Sequence, residues 1–233
     1  MPDFRDERLV KQLHRIVAAL MTGLSVTACS STADGPGPAP SPRALSVEEF
    51  DALYSARIAD AHAVFTEADV QFMTGMIIHH AQALVMSVWA PKNKASSEVR
   101  TLAARVFNSQ QDEIARMQEW LSDRDQPVPE ARMRGGELVH AAGHIMPGML
   151  TNEQMAELGQ ARGHEFDRLF LTYMIQHHRG AIIMVEELFA SEGAAQANEM
   201  FKLASDINVD QATEIARMQG MLEAMSAASA GAR

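Results

Sequence analysis

Wound as a helix turning about 100° per residue, the stretch Met76 to Met86 (MIIHHAQALVM) gathers its side chains into one inward arc. With Met76 at zero, His79 falls near −60° and His80 near +40°, with Ala83 between them at about −20°. Phe72 and Met86 lie beside His79, and Met73 and Ser87 beside His80. A small residue at the centre of the arc lets a facing helix come close, which aims both imidazoles at an interior.

The same pattern returns as MIQHHRGAIIM, Met174 to Met184. Asp69, Phe72, Met76, Ile77, His79, His80, Ala83 and Met86 are matched by Asp167, Phe170, Met174, Ile175, His177, His178, Ala181 and Met184, each 98 positions later. A second pair follows each copy, QQDEIARMQEWL from Gln110 and QATEIARMQGML from Gln211. The chain is therefore an internal duplication of a two-helix unit, with halves at about 66–121 and 164–222.

Helix signals punctuate both halves. Thr66 can cap the first histidine helix, which should stop near Pro91, and Ser96 or Ser97 can cap its partner, which runs to about Leu121. Ser46 to Glu49 and Thr151 to Gln154 are capping boxes that open helices. The stretch SDRDQPVPEARMRGG is a connector, and it leads through a loop and a short helix to the second histidine helix. Gly193 separates that helix from the last, which should end before an Ala/Ser-rich tail at 226–233. The prediction is an all-α fold over 46–225: a ferritin-like four-helix bundle with a long central crossover, plus an N-terminal helix over Ser46 to Ala63 packed outside it.

Ahead of the bundle the chain carries an address. Arg5, Arg8, Lys11 and Arg15 precede a short apolar run that ends at Val26-Thr27-Ala28-Cys29. That run is well below the ~20 residues a membrane span needs, so residues 1–28 read as a lipoprotein signal peptide. Cys29, the single cysteine, sits at the lipobox position and is the expected lipidation site, so the mature protein is expected on the outer side of a bacterial cell membrane. The Pro/Gly/Ser-rich segment 29–45 is a flexible tether. One cysteine cannot form an internal disulfide, so stability must come from packing. A net charge of −10 argues against nucleic acid as a partner.

Methionine is the compositional outlier, at 16 residues against 2 Trp and 2 Tyr. On each partner helix a carboxylate joins the apolar stripe: Gln110, Glu113 and Met117 share a face with Val106 and Trp120, and Gln211, Glu214 and Met218 share one with Ile207 and Met221. A charge there is costly unless paired. Imidazole, thioether and carboxylate directed into one bundle form either a metal environment or a buried polar network. Methionine is ordinarily core filler, and a lone histidine is ordinarily satisfied by a carbonyl or carboxylate. Two His-His pairs with matched methionines favour a metal ion as partner. Adjacent histidines diverge by ~100°, so one of each pair should coordinate while the other bonds Glu113 or Glu214.

The expected ligand set is Met76, His79, His80, Met86, Glu113 and Met117, with Met174, His177, His178, Met184, Glu214 and Met218 in the second half. His140, His144, Met146 and Met149 in the crossover form a weaker group. Thioethers favour Cu(I), and imidazole also accepts Cu(II) or zinc. A di-iron centre wants Glu-x-x-His on two core helices, but Met76, Ile77, Met174 and Ile175 stand three residues before the four histidines. No catalytic set stands out, so the expectation is a binding protein rather than an enzyme. A metal-dependent redox enzyme of ferritin-like type and a metal-free structural or interaction module are the alternatives, and any protein partner is unspecified.

The doubled Met-Ile-x-His-His segments, each followed by EIARM and joined through MPGML, resemble the DUF305 family of ferritin-like helical bundles over roughly Ser46 to Leu222. The resemblance implies an exported copper-binding or copper-handling protein, with Met76, His79, His80, Met86 and their second-half equivalents as ligands. Ala81-Gln82 stands where the second half has Arg179-Gly180, so the two sites need not be equivalent.

Overall fold

A computed structural model of the chain describes residues 46–129, 132–134, 137–139 and 146–231. The predicted signal peptide, the tether with Cys29, and His140 and His144 lie outside the described residues. The chain divides into Met1–Ser46 and Val47–Arg233, and the described structure belongs to the second unit save for Ser46. Its elements are α1 (Val47–Ala63), α2 (Glu67–Lys92), α3 (Ser97–Ser122), β1 (Arg132–Arg134), β2 (Glu137–Val139), α4 (Asn152–Gln160), α5 (His164–Ala190) and α6 (Asn198–Gly231). Hairpins α2–α3 and α5–α6 pack on each other mainly through α2 and α5. This is the all-helical four-helix bundle expected from the duplication. None of the described helices is long and apolar enough to cross a membrane.

The core falls into two clusters that mirror each other through the repeat. One joins Phe72, Met76 and Ile77 of α2 and Met117 of α3 with Met184, Val185 and Leu188 of α5 and Ile207 of α6. The other joins Phe170, Met174 and Ile175 of α5 and Met218 of α6 with Ala83, Met86 and Ala90 of α2 and Val106 of α3. Along both α2 and α5 the switch from one cluster to the other comes at the histidine pair. Since the first part of α2 packs with the last part of α5, the two helices run antiparallel, with the histidines at mid-height.

Each histidine helix also begins against the other half. Thr66 and Asp69 form a reciprocal capping box at the start of α2. Asp69 Oδ1 then accepts the backbone N–H of Ala195, in the α5–α6 turn, at 2.7 Å. Its counterpart Asp167 accepts the N–H of Ser96, in the α2–α3 turn, at 3.1 and 3.2 Å. Both aspartates are buried. Asp69→Ala should destabilise the protein by about 1–3 kcal/mol, because it strands a buried amide and removes a cap. Urea unfolding measures this; a loss no larger than that of an exposed Asp→Ala control such as Asp112→Ala would contradict the assignment.

Three local features differ from the sequence expectation. The crossover carries a two-stranded antiparallel ribbon with Arg132 opposite Val139, where a plain connector was expected. Its signal was the Gly135-Gly136 pair between two short segments, a hairpin turn pattern. The helix α6 runs on to Gly231 through the predicted tail, because alanine is the strongest helix former and no breaker intervenes. The helix α1 forms, but the large apolar residues of its first part face solvent where packing outside the bundle was expected. Val47, Phe50, Leu53 and Tyr54 are all exposed, and Phe50 stacks on Tyr54. The two hairpins already bury each other's stripes without it.

Candidate metal centre

All four histidines of the repeated motif are fully buried. The rings of His79 and His177 meet between α2 and α5, with centroids 3.8 Å apart and planes tilted by 38°. Ala83 and Ala181, both without exposed surface, permit that approach. His80 and His178 turn outward toward their own hairpin partners. His80 Nε2–H donates to Glu113 Oε2 of α3 at 2.6 Å, and His178 Nε2–H donates to Glu214 Oε2 of α6 at 2.6 Å. The division of labour within each adjacent pair is thus visible: one ring is held by glutamate and the other is not.

The inner pair is held by backbone. His177 Nε2–H donates to the carbonyl of His79 at 2.9 Å, and His79 Nε2–H donates to the carbonyl of Pro147 at 3.0 Å. A carbonyl can only accept, so the proton of each neutral ring sits on Nε2 and the lone pair on Nδ1. The Nδ1 atoms of His79, His80, His177 and His178 are buried without a hydrogen-bond partner. Burial, with His80 and His178 nearby, pushes the His79 imidazole down to about 3 against the pull of the Pro147 carbonyl. Burial also holds His177 well below its ordinary range, reinforced by His79, His178 and His80. Both inner rings are therefore neutral at physiological pH.

The thioethers divide between the clusters across the repeat. Met76 and Met117 share a cluster with Met184 of the other half, and Met174 and Met218 share one with Met86. The set expected within each half is thus split, because antiparallel packing of α2 on α5 exchanges their ends. Met146 of the crossover is half-buried and packs on the first cluster, while Met149 is buried. Among the described residues no three His, Cys, Asp or Glu side chains converge as a ready cage for an ion.

The crossover breaks the two-fold symmetry. By symmetry His79 should bond the carbonyl of His177, yet Pro147 takes that role. Pro147 and Gly148 lie directly on Gly180, where an added Cβ would stand 1.9 Å from the Pro147 carbonyl oxygen and 2.6 Å from Gly148 Cα. Gln82, the counterpart of Gly180, donates to the Leu150 carbonyl at 3.1 Å and accepts its N–H at 2.8 Å. Gln82 and Gly180 thus stand at one repeat position, and each meets the same loop on its own helix. Gln110 and Gln211, fully buried repeat mates, also keep amide atoms without partners. Asp210 was not singled out by the sequence. Its carboxyl is raised, first by burial and then by the charges of Glu113 and Glu214.

Fold and site together define a duplicated ferritin-like bundle with an imidazole and thioether interior. The chain belongs to the DUF305 family (Domain of unknown function), whose model matches residues 69–222. A DUF305 protein from Streptomyces coelicolor is 26% identical, with a TM-score of 0.58 over 68% of this chain and 94% of that one. CopM in its Cu(II)-bound form is 30% identical, with a TM-score of 0.53 over 66% of this chain and 95% of that one. Its Cu(I)-bound form is 28% identical, at a TM-score of 0.51 over the same shares. An uncharacterized protein, L153, of Acanthamoeba polyphaga mimivirus is 36% identical over 66 residues, which are 27% of this chain and 43% of that protein's length.

Proposed function

We propose that the protein is an exported, lipid-anchored copper-binding protein that holds Cu(I) in its core and sequesters it or passes it on. The observation that carries this reading is the set of four buried Nδ1 atoms without partners beside buried thioethers. Leaving such atoms unpaired is costly, and an imidazole whose other nitrogen donates to a carbonyl or carboxylate is the usual form of a metal ligand. Thioethers select a soft ion, so Cu(I) fits best and Cu(II) is accepted by imidazole alone. His79 and His177, with Met76, Met184, Met86 and Met174, are the central ligands of this reading, and His80 and His178, fixed by Glu113 and Glu214, offer the other two Nδ1 atoms. CopM, similar over most of the bundle, has been solved with both copper oxidation states. The lipobox-like sequence at Cys29 supports anchoring.

Anaerobic titration of Cu(I) against a competing chelator tests the reading. The wild-type domain should bind at least tenfold more tightly than a variant with His79, His80, His177 and His178 all changed to alanine. Equal affinity would rule it out. The His80–Glu113 and His178–Glu214 pairs favour a second reading, a purely structural network. That reading expects the alanine variant to lose stability with no change in metal affinity.

A further inference from the structure

We propose that the two ends of the core are unequal as soft-metal sites, and that Met146 of the crossover is both a ligand of the end built around Gly75 and the way into it. This rests on the copper reading above and adds to it a preferred site and a path.

The inequality begins with one position of the repeat. Gly75 of α2 corresponds to Tyr173 of α5, since each directly precedes the motif methionine, Met76 or Met174. At Gly75 the place a Cβ would occupy lies 3.3 Å from Met146 Sδ and 3.3 Å from Met184 Cε. The missing side chain is the space into which two thioether side chains converge. Gly75 is one helical turn before His79, so that convergence lies on the same stripe of α2 as the inner imidazole. The residue that follows Met146 is itself fastened to that imidazole, through the Pro147 carbonyl.

At the other end the position is filled. Tyr173 packs its ring on the second cluster and its hydroxyl donates to Glu157 of α4. Met155, Met221 and Met225 border that cluster, yet no glycine opens α5 to them as Gly75 opens α2. Exposure follows the same division. Met184 retains 8% of its surface, whereas its counterpart Met86 retains none. Met146 and Gly75 are only half-buried. A soft ion arriving from outside thus meets a flexible, half-exposed thioether, then Met184, then the His79 layer. A thioether on an unbranched chain can follow the ion inward, and sulfur donors suit a monovalent d10 cation such as Cu(I) or Ag(I).

The experiment uses the full mature chain with methyl-13C methionine, titrated with Ag(I) and followed by NMR, and Met146→Leu titrated with Cu(I) against a chelator. In the wild type the Met146 and Met184 methyl signals should shift with the first equivalent, before those of Met86 and Met174. Met146→Leu keeps the volume and removes the sulfur, and should weaken the first Cu(I) equivalent about tenfold while leaving the circular dichroism unchanged. Wild-type affinity in Met146→Leu, or early shifts at Met86 and Met174, would overturn this proposal while leaving the copper reading standing. A wild-type protein that binds no more tightly than the four-histidine variant would overturn both.

Discussion

Gly180→Ala should cost the protein about 3 kcal/mol, at the upper end of what overpacking usually costs. The added methyl would stand 1.9 Å from the Pro147 carbonyl oxygen and 2.6 Å from Gly148 Cα. Backbone atoms cannot swing aside as a side-chain tip can. Gly148, whose φ of +74° is glycine territory, is itself seated on α5, with the Gln176 carbonyl oxygen 2.5 Å from where a Cβ would stand, so the loop has no slack on that side. The crossover must lift, and with it go the His79–Pro147 and Gln82–Leu150 hydrogen bonds. Thermal unfolding should show a drop of several degrees. Gly220→Ala is the control: it lies in α6 with nothing within 4 Å of the added carbon, and should stabilise by about 0.5–1 kcal/mol. A Gly180→Ala protein as stable as wild type would mean that the loop is not seated as described.

The second large effect is acid sensitivity well above the carboxylate range. His79 titrates at about 3 in the folded protein, and His177 is likewise held far below its ordinary value by burial. In the unfolded chain both titrate near 6.5. Between those limits the unfolded chain binds protons that the native protein refuses, so stability rises with pH and is lost as pH falls below about 6.5. Each histidine contributes up to about 1.4 kcal/mol per pH unit within that window. The metal-free protein should therefore be about 2–3 kcal/mol less stable at pH 5.5 than at pH 7.5, in chemical denaturation at matched ionic strength. His79→Gln combined with His177→Gln keeps a donor at each position and should flatten the dependence. Identical midpoints for the wild type at the two pH values would refute the neutral, buried pair.

Much of this was readable in the chain, and the parts that were not share a physical cause. Helical spacing placed the four histidines, Glu113, Glu214 and the methionines on inward faces, because periodicity and burial are properties of a single helix. Assigning the glutamates to His80 and His178, and leaving His79 and His177 to each other, required the antiparallel register of α2 on α5. That register also moved Met184 to the end that holds Met76. Gln82 and Gly180 stood out as departures between the motif copies, but their purpose lies in a loop some 70 and 30 residues away in sequence. The exposed α1 follows the same rule: its helix-forming signals are local, whereas having a surface to pack on is a property of the whole bundle.

The crossed aspartates set terms for how the duplicated halves can change. Asp69 closes the turn at Ala195 and Asp167 closes the turn at Ser96, so the start of each copy is bound to the middle of the other. Each hairpin's turn takes a hydrogen-bond acceptor from the other half. A substitution in one turn is felt first at the opposite copy's helix start. The two aspartates act as a pair of latches, each copy of the repeat carrying the fastening for the other's turn.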